Sequence, residues 1–247
     1  MNKNSMGNMV CQYLEKRHIL PYIVAMNNLG LILSLVFIGI IIGIGMLLSK
    51  TGRFSAEFVR KFIHIGVSNW WFILIASFDS LTYALVGPIL FILVNGIAVY
   101  TGVANVLGIS DKRRNLGLVY FPISLLILVI AGYTNTIPMW ACGMGALTMG
   151  YGDGLAAIIG KHWGTTKIRG DKSLLGTLVM FVVTALVITG FSLGYSLPSV
   201  WSFTWWISLV VISGVAALLE AYTPHGLDNL SVPLGTTLIA FLLLGVA

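Results

Sequence analysis

The stretch Gly150–Thr177, GYGDGLAAIIGKHWGTTKIRGDKSLLGT, gathers the chain's densest set of groups able to handle phosphate. Asp153 stands among Gly150, Gly152 and Gly154. Small residues around an acid leave room for a ligand or a metal, and they also let helices approach closely. At helical spacing Ala157 and Lys161 share the stripe of Asp153. A connection with Gly164, Gly170, Lys161, Lys167, Arg169 and Lys172 follows, and a helix begins near Lys172–Ser173. Free backbone N–H groups, a helix start and lysine ammonium groups are the parts of a phosphate cradle. It is not a Walker A loop: Asp171 separates Gly170 from Lys172, and no strand pattern precedes it.

Three further polar clusters belong with it. In RKFIH, a helix would set Arg60 and His64 one turn apart with Lys61 beside them. Arg and Lys at a helix end are ordinary snorkelling anchors, but His64 lies one turn deeper. The segment KRRNLGLVYFP, from Lys112 to Pro122, runs into a helix start. The segment EAYTPHGLDNLSVP offers Glu220, Asp228 and Asn229 with no Lys or Arg. Such acids suit magnesium, which prefers carboxylates and substrate phosphates; plain loop capping by Asp228 and Asn229 is the structural alternative. Cations for phosphate charge, carboxylates for magnesium and a group to orient a hydroxyl form the set that phosphoryl or nucleotidyl transfer needs.

The elements that must position these groups are membrane spans. Of 247 residues, 57% are hydrophobic and only 9% charged, with mean hydropathy +0.95. A typical soluble domain is about 25% charged. So few charges cannot clothe a water-exposed surface, which excludes a soluble enzyme, a disordered chain and a secreted disulfide scaffold. Cys11 and Cys142 form no metal-type spacing. A span takes about 20 apolar residues, and candidates lie near Leu29–Leu48, Phe58–Phe78, Thr82–Val103, Leu116–Tyr133, Ile137–Gly160, Ser173–Gly194, Pro198–Leu219 and Ser231–Ala247. The expected fold is all-α: a polytopic membrane bundle of about eight transmembrane helices. Residues 1–28 form a tail with an interfacial helix, and 29–247 a single catalytic domain.

Charge orients the bundle. Lys50, Arg53, Arg60 and Lys61 fall around the first connection, Lys112, Arg113 and Arg114 in the third, and Lys161, Lys167, Arg169 and Lys172 in the fifth. The second, fourth and sixth connections have none. The positive-inside rule therefore places the odd connections, and the active-site loops with them, in the cytoplasm. Lys3, Lys16 and Arg17 in the tail oppose this, but they precede one span only, so the loops outvote them. The net charge of +6 then reflects cytoplasmic loops, and no nucleic-acid partner is expected. Acids dipping into apolar helices are functional candidates by default, and a hydroxyl at the bilayer edge would belong to a lipid.

From Arg60 to Pro233 the motifs resemble those of the CTP-dependent lipid-alcohol kinases, which include dolichol, phytol and farnesol kinases and yeast-type diacylglycerol kinase. Arg-Lys-x-x-His matches Arg60, Lys61 and His64. Gly-Asp-x-x-Ala with spaced glycines matches Gly152, Asp153, Ala156, Gly160 and Gly164. Lys-Ser-x-x-Gly-Thr matches Lys172, Ser173, Gly176 and Thr177, and the late acids match Glu220, Asp228, Asn229 and Pro233. Asn115, in Arg114-Asn115-x-Gly117 before Phe121-Pro122, is similar to another family segment. One departure is Leu175, where the family often has Glu.

The resemblance implies transfer of the terminal phosphate of CTP to a membrane lipid alcohol, with release of CDP. Asp153 would be a Mg2+ ligand or hydroxyl-orienting base, and Lys172 the main phosphate contact. Lys161 and Lys167 would support it, and Ser173 would offer its hydroxyl and N–H. Glu220 and Asp228 would be further metal ligands. Arg60, Lys61 and His64 would bind phosphate or position the acceptor, with Asp153 and His64 both open as the proton's destination. Gly152, Gly164, Gly176, Thr177, Asn115 and Asn229 complete the expected nucleotide-binding set.

Two other readings differ in kind. A CDP-lipid synthase shares a Gly- and Lys-containing pattern, but its Lys-Asp and Pro-Gly-His-Gly-Gly segments have only the echo Pro224-His225-Gly226 here. A transporter would put its site near the midplane and often repeat its halves, and no internal repeat is visible. The Gly39–Gly43 spacing is compatible with helix pairing in a homo-oligomer.

Overall fold

The computed structural model describes residues 3–102, 116–198, 200–224 and 226–245, with side chains from Pro21 onward. Asn115 and the bases Lys112, Arg113 and Arg114 lie outside the described residues. The described residues are all-α apart from one small hairpin. Helix α1 (Lys3–Lys50) runs unbroken past Pro21, and α2 (Ala56–Ser68) and α3 (Trp70–Ser77) follow with a joint at Asn69. Next come α4 (Leu81–Tyr100), α5 (Gly117–Tyr133) and α6 (Met139–Leu147). A π-helical turn, Thr148–Asp153, leads without a break into α7 (Gly154–Trp163). Strands β1 (Lys167–Arg169) and β2 (Lys172–Ser173) pair antiparallel, and α8 (Leu174–Gly194), α9 (Phe203–Tyr222) and α10 (Asp228–Leu244) complete the fold.

Among the described residues, helix makes up most of each of the eight apolar segments read from the sequence. Among the described residues, four helices are long and apolar enough to cross a membrane: α1 from Pro21, α4, α8 and α9. The apolar helices α5 and α10 are shorter. Two of the eight segments are composite, one made by α2 with α3 and the other by α6, the π turn and α7.

The fold wears its grease outside as well as inside. Leu178, Val182 and Leu186 form an exposed stripe on α8, as Leu93, Val94 and Ile97 do on α4. Exposed apolar surface on this scale marks an interaction with lipid or another apolar medium, which makes this a membrane protein. The centre is packed by Trp71, Leu74, Leu128, Met144, Met149, Met180 and Ile188. Helices α8 and α9 pack together, α10 lies against α6 and α9, and α7 lies along α8. Helices α1, α2, α4 and α5 make the other flank, with α2 reaching across to α7.

Serines cap some of the helix starts. Ser55 Oγ accepts from Phe58 N at 3.2 Å to cap α2, and Ser202 Oγ accepts from Trp205 N at 3.1 Å to cap α9. These caps satisfy donors that the first turn leaves unpaired.

Candidate active site

Asp153 closes the π turn, a local widening of the helix that concentrates at functional sites. Glycine decides what reaches it. A Cβ on Gly150 would fall 2.1 Å from Ser68 Oγ, and one on Gly154 2.3 Å from an Ile65 carbon. Only bare backbone lets α2 come so near. The Tyr151 hydroxyl donates to Asn69 Oδ1 at 2.5 Å and closes the same seam. That approach carries Lys61 and His64 onto Asp153. The Lys61 ammonium donates to Asp153 Oδ2, and His64 Nε2 stands 3.8 Å from the same oxygen, beyond hydrogen-bond reach. Lys61 and Asp153 are only 5% and 2% exposed, so the charges compensate each other where water cannot. Phe121 holds the His64 ring, with centroids 4.5 Å apart.

A second half of the centre comes from the hairpin. Gly170 turns it with φ +53°, a conformation that suits a residue without Cβ, and the register pairs Arg169 with Lys172. Lys172 Nζ donates to Glu220 Oε1 and, at 3.1 Å, to Asp228 Oδ2. Burial by itself would lower the Lys172 pKa. The carboxylates of Asp153, Asp228 and Glu220 outweigh it and hold the ammonium above the ordinary lysine range.

Asp153, Glu220 and Asp228 each turn a carboxylate oxygen to within 4.8 Å of the other two. Three buried, hard oxygen donors at that spacing could hold a divalent cation such as magnesium. Position 175 adds no acid to this cluster: a half-buried Leu stands there, outside the cavity wall.

These groups line a polar cavity of about 440 Å³. Of the residues singled out from sequence, Arg60, Lys61, Lys161, Lys167, Lys172, Ser173, Gly176, Thr177 and Asn229 share its wall with the three acids. Others serve packing. Gly152 gives its space to Met180, and Gly164 to Ser173 and Gly160, so neither lines the cavity. The Ser173 hydroxyl is already committed, donating to Gly160 O at 3.0 Å and accepting from Gly176 N at 3.2 Å as the cap of α8. Asn229 Nδ2 donates to Gly226 O and to Asp228 Oδ1, which braces that carboxylate. Arg60 pairs with Glu57 at 2.5 Å.

Two features escape a reading of sequence alone. Arg169 lines the cavity and donates to Tyr222 O at 2.5 Å, tying the hairpin to the end of α9; its place among the four loop bases was the available signal. The other feature is a second cavity, about 480 Å³ and mostly apolar, between α1, α2, α4 and α5. His64 lies in its wall, and Arg60, Lys61, Asp153 and Asn229 border both cavities.

A helical membrane protein with three buried carboxylates, two paired lysines and a basic hairpin around one polar cavity has the make-up of a phosphoryl-transfer centre. Comparison with known proteins gives the family. The chain is 32% identical over 218 residues to the phytol kinase of Synechocystis sp., covering 85% of this chain and 89% of the relative. It is 33% identical to a probable chloroplastic phytol kinase of Triticum aestivum, over 75% of this chain and 67% of that one. It is 28% identical to phytol kinase 1 of Arabidopsis thaliana, over 80% and 70%. The chain belongs to the phytol kinase family, among the lipid-alcohol kinases. No family model and no solved structure matches it.

Proposed function

We propose that this protein is a multi-pass membrane kinase that transfers the γ-phosphate of CTP to the hydroxyl of a membrane lipid alcohol of the phytol type, releasing CDP. The observation that carries the reading is the meeting of Asp153, Glu220 and Asp228 with Lys61 and Lys172 on one polar cavity. In this reading all eight apolar segments span the bilayer, residues 29–247 are one catalytic unit, and the basic loops face the cytoplasm. The Gly39–Gly43 face of α1 remains open for a second copy, since a Cβ at either position would meet nothing within 4 Å.

Lys172 grips the terminal phosphate, while Lys161 and Lys167 draw in the rest of the triphosphate from the cavity rim. Gly176 and Thr177 line the cavity at the start of α8, where the positive end of the helix dipole favours an anion. Asp153, Glu220 and Asp228 would hold Mg2+, which when bound supplies positive charge for the developing negative charge on phosphate oxygens. As the acceptor oxygen bonds to the γ-phosphorus, the bond from that phosphorus to the β–γ bridging oxygen breaks. CDP leaves with the bridging oxygen, and the hydroxyl proton passes to Asp153 or His64. In a loose transition state positioning outweighs that proton transfer.

Phosphorus labelling tests the reading. Purified protein in nanodiscs is given phytol with CTP labelled at the γ or the α position. Label passing to lipid from γ alone supports the kinase. Label passing from α alone replaces it with a CDP-lipid synthase, and flux of a solute without CTP turnover replaces it with a transporter.

A further inference from the structure

Beyond the residues it shares with the polar cavity, the second cavity is lined mostly by apolar side chains. It follows α4 from Gly87 to Ala98, about 16 Å at 1.5 Å rise per residue, and its 480 Å³ is in the range of about 300–1,000 Å³ usual for small-molecule sites. Its inner wall is Val67, Trp70, Phe91, Phe121 and Leu125. On α1, Ile42 and Met46 line it yet are 38% and 55% exposed, so it opens on the greasy outer surface.

Polarity collects at one place. There the cavity meets Lys61, Asp153 and Asn229, the same groups that border the polar cavity. His64 Nε2 is buried there with no hydrogen-bond partner among the described residues. Its 3.8 Å separation from Asp153 Oδ2 is too long for a direct bond. An oxygen lying beside the two could bond to both.

We propose that this cavity is the acceptor site: it takes the single hydrocarbon chain of an isoprenoid alcohol from the bilayer and sets the hydroxyl between His64 and Asp153. The proposal deepens the kinase reading and rests on it. A hydrocarbon without a hydroxyl leaves His64 unpaired, and a two-chain lipid would have to seat both chains in the same 480 Å³. His64 is then an acceptor-side group, and the basic hairpin serves the donor alone.

The test uses the full chain in nanodiscs with a diazirine-bearing phytol analogue, without nucleotide, so that its result does not depend on the donor. The expected label falls on α4 between Phe91 and Ala98 and on α5 between Gly117 and Leu125, competed by phytol but not by phytane or diacylglycerol. Label confined to the outer faces of α8 and α9, or competed equally by phytane, overturns the proposal and leaves the cavity to ordinary bilayer lipid. Kinetics give a second readout. Ala98→Trp should raise the KM for phytol about tenfold or more, the scale of a misfit in an apolar pocket, with the KM for CTP unchanged. Phe91→Ala should shift preference toward longer isoprenoid alcohols. An unchanged chain-length preference in Phe91→Ala also overturns the assignment. Loss of γ-phosphate transfer from CTP with labelling intact would instead count against the kinase reading.

Discussion

Lys61 and Asp153, 92 positions apart in the chain, meet as a buried ion pair at the place where the polar and apolar cavities touch. A lysine that borders both cavities thus neutralises an acid that borders both. Removing one partner of such a pair strands the other charge away from water, which costs about 3–5 kcal/mol.

Asp153→Asn should therefore abolish phosphate transfer and also lower the unfolding temperature in detergent. The double variant Lys61→Met/Asp153→Asn should recover most of the stability and none of the activity. Turnover near the wild-type rate in Asp153→Asn would dismiss this acid from the chemistry.

Lys172 answers two carboxylates at once. Lys172→Ala should raise the KM for CTP far more than that for the lipid alcohol. The same change uncovers negative charge, so Mn2+ without nucleotide should bind about tenfold tighter by calorimetry, a change of about 1.4 kcal/mol. A variant that loses lipid affinity alone would contradict the assignment of this lysine to phosphate.

Chelation of divalent cations should stop turnover and leave the melting temperature almost where it was. The reason is that Lys61 and Lys172 already balance charge among Asp153, Glu220 and Asp228. A large drop in melting temperature on chelation would mean instead that a metal is part of the folded framework.

The raised Lys172 pKa fixes a sign for pH. Its ion pairs are fully present below the unfolded lysine value of about 10.4 and are lost only as pH rises through the higher folded value. Activity between neutral and mildly alkaline pH should consequently have the same profile in wild type and Lys172→Arg, even where the rates differ. A profile displaced by that substitution would show that this lysine titrates in the working range.

Helix contacts can be ranked in the same way. A Cβ on Gly145 would stand 2.1 Å from Thr237 Oγ1 and 2.2 Å from the Pro233 carbonyl oxygen, whereas one on Gly39 would meet nothing within 4 Å. Gly145→Ala should cost about 1–3 kcal/mol, and Gly39→Ala close to nothing, both read by thermal unfolding. Equal effects would mean that α6 and α10 yield more easily than their packing suggests.

Much of this was open to inspection in the sequence, because a bilayer imposes one dominant rule. Long apolar runs must be helical, and most of their described residues are. The glycines around Asp153 and the bases of Lys161–Lys172 likewise announced a crowded, charged end. What stayed hidden depends on contacts distant in sequence. Periodicity does not reveal that the helix widens at Thr148–Asp153 or bends at Asn69. Glycine at 152 and at 164 reads equally well as ligand-facing or packing, and only neighbours such as Met180 and Ser173 decide for packing. The partner of Lys61 lies 92 positions further along the chain. The apolar cavity left no local mark, since Val67, Phe91 and Leu125 are ordinary residues until three helices bring them together.

The two chambers with a shared border have a kinetic corollary. A water-borne donor and a membrane-borne acceptor would arrive by separate doors and meet only across one carboxylate. Neither would then queue behind the other, and a bilayer saturated with alcohol could not choke the entry of nucleotide. The spent nucleotide would drain to water while the newly charged lipid, its head now too polar for the slot, would slide sideways into the leaflet it came from.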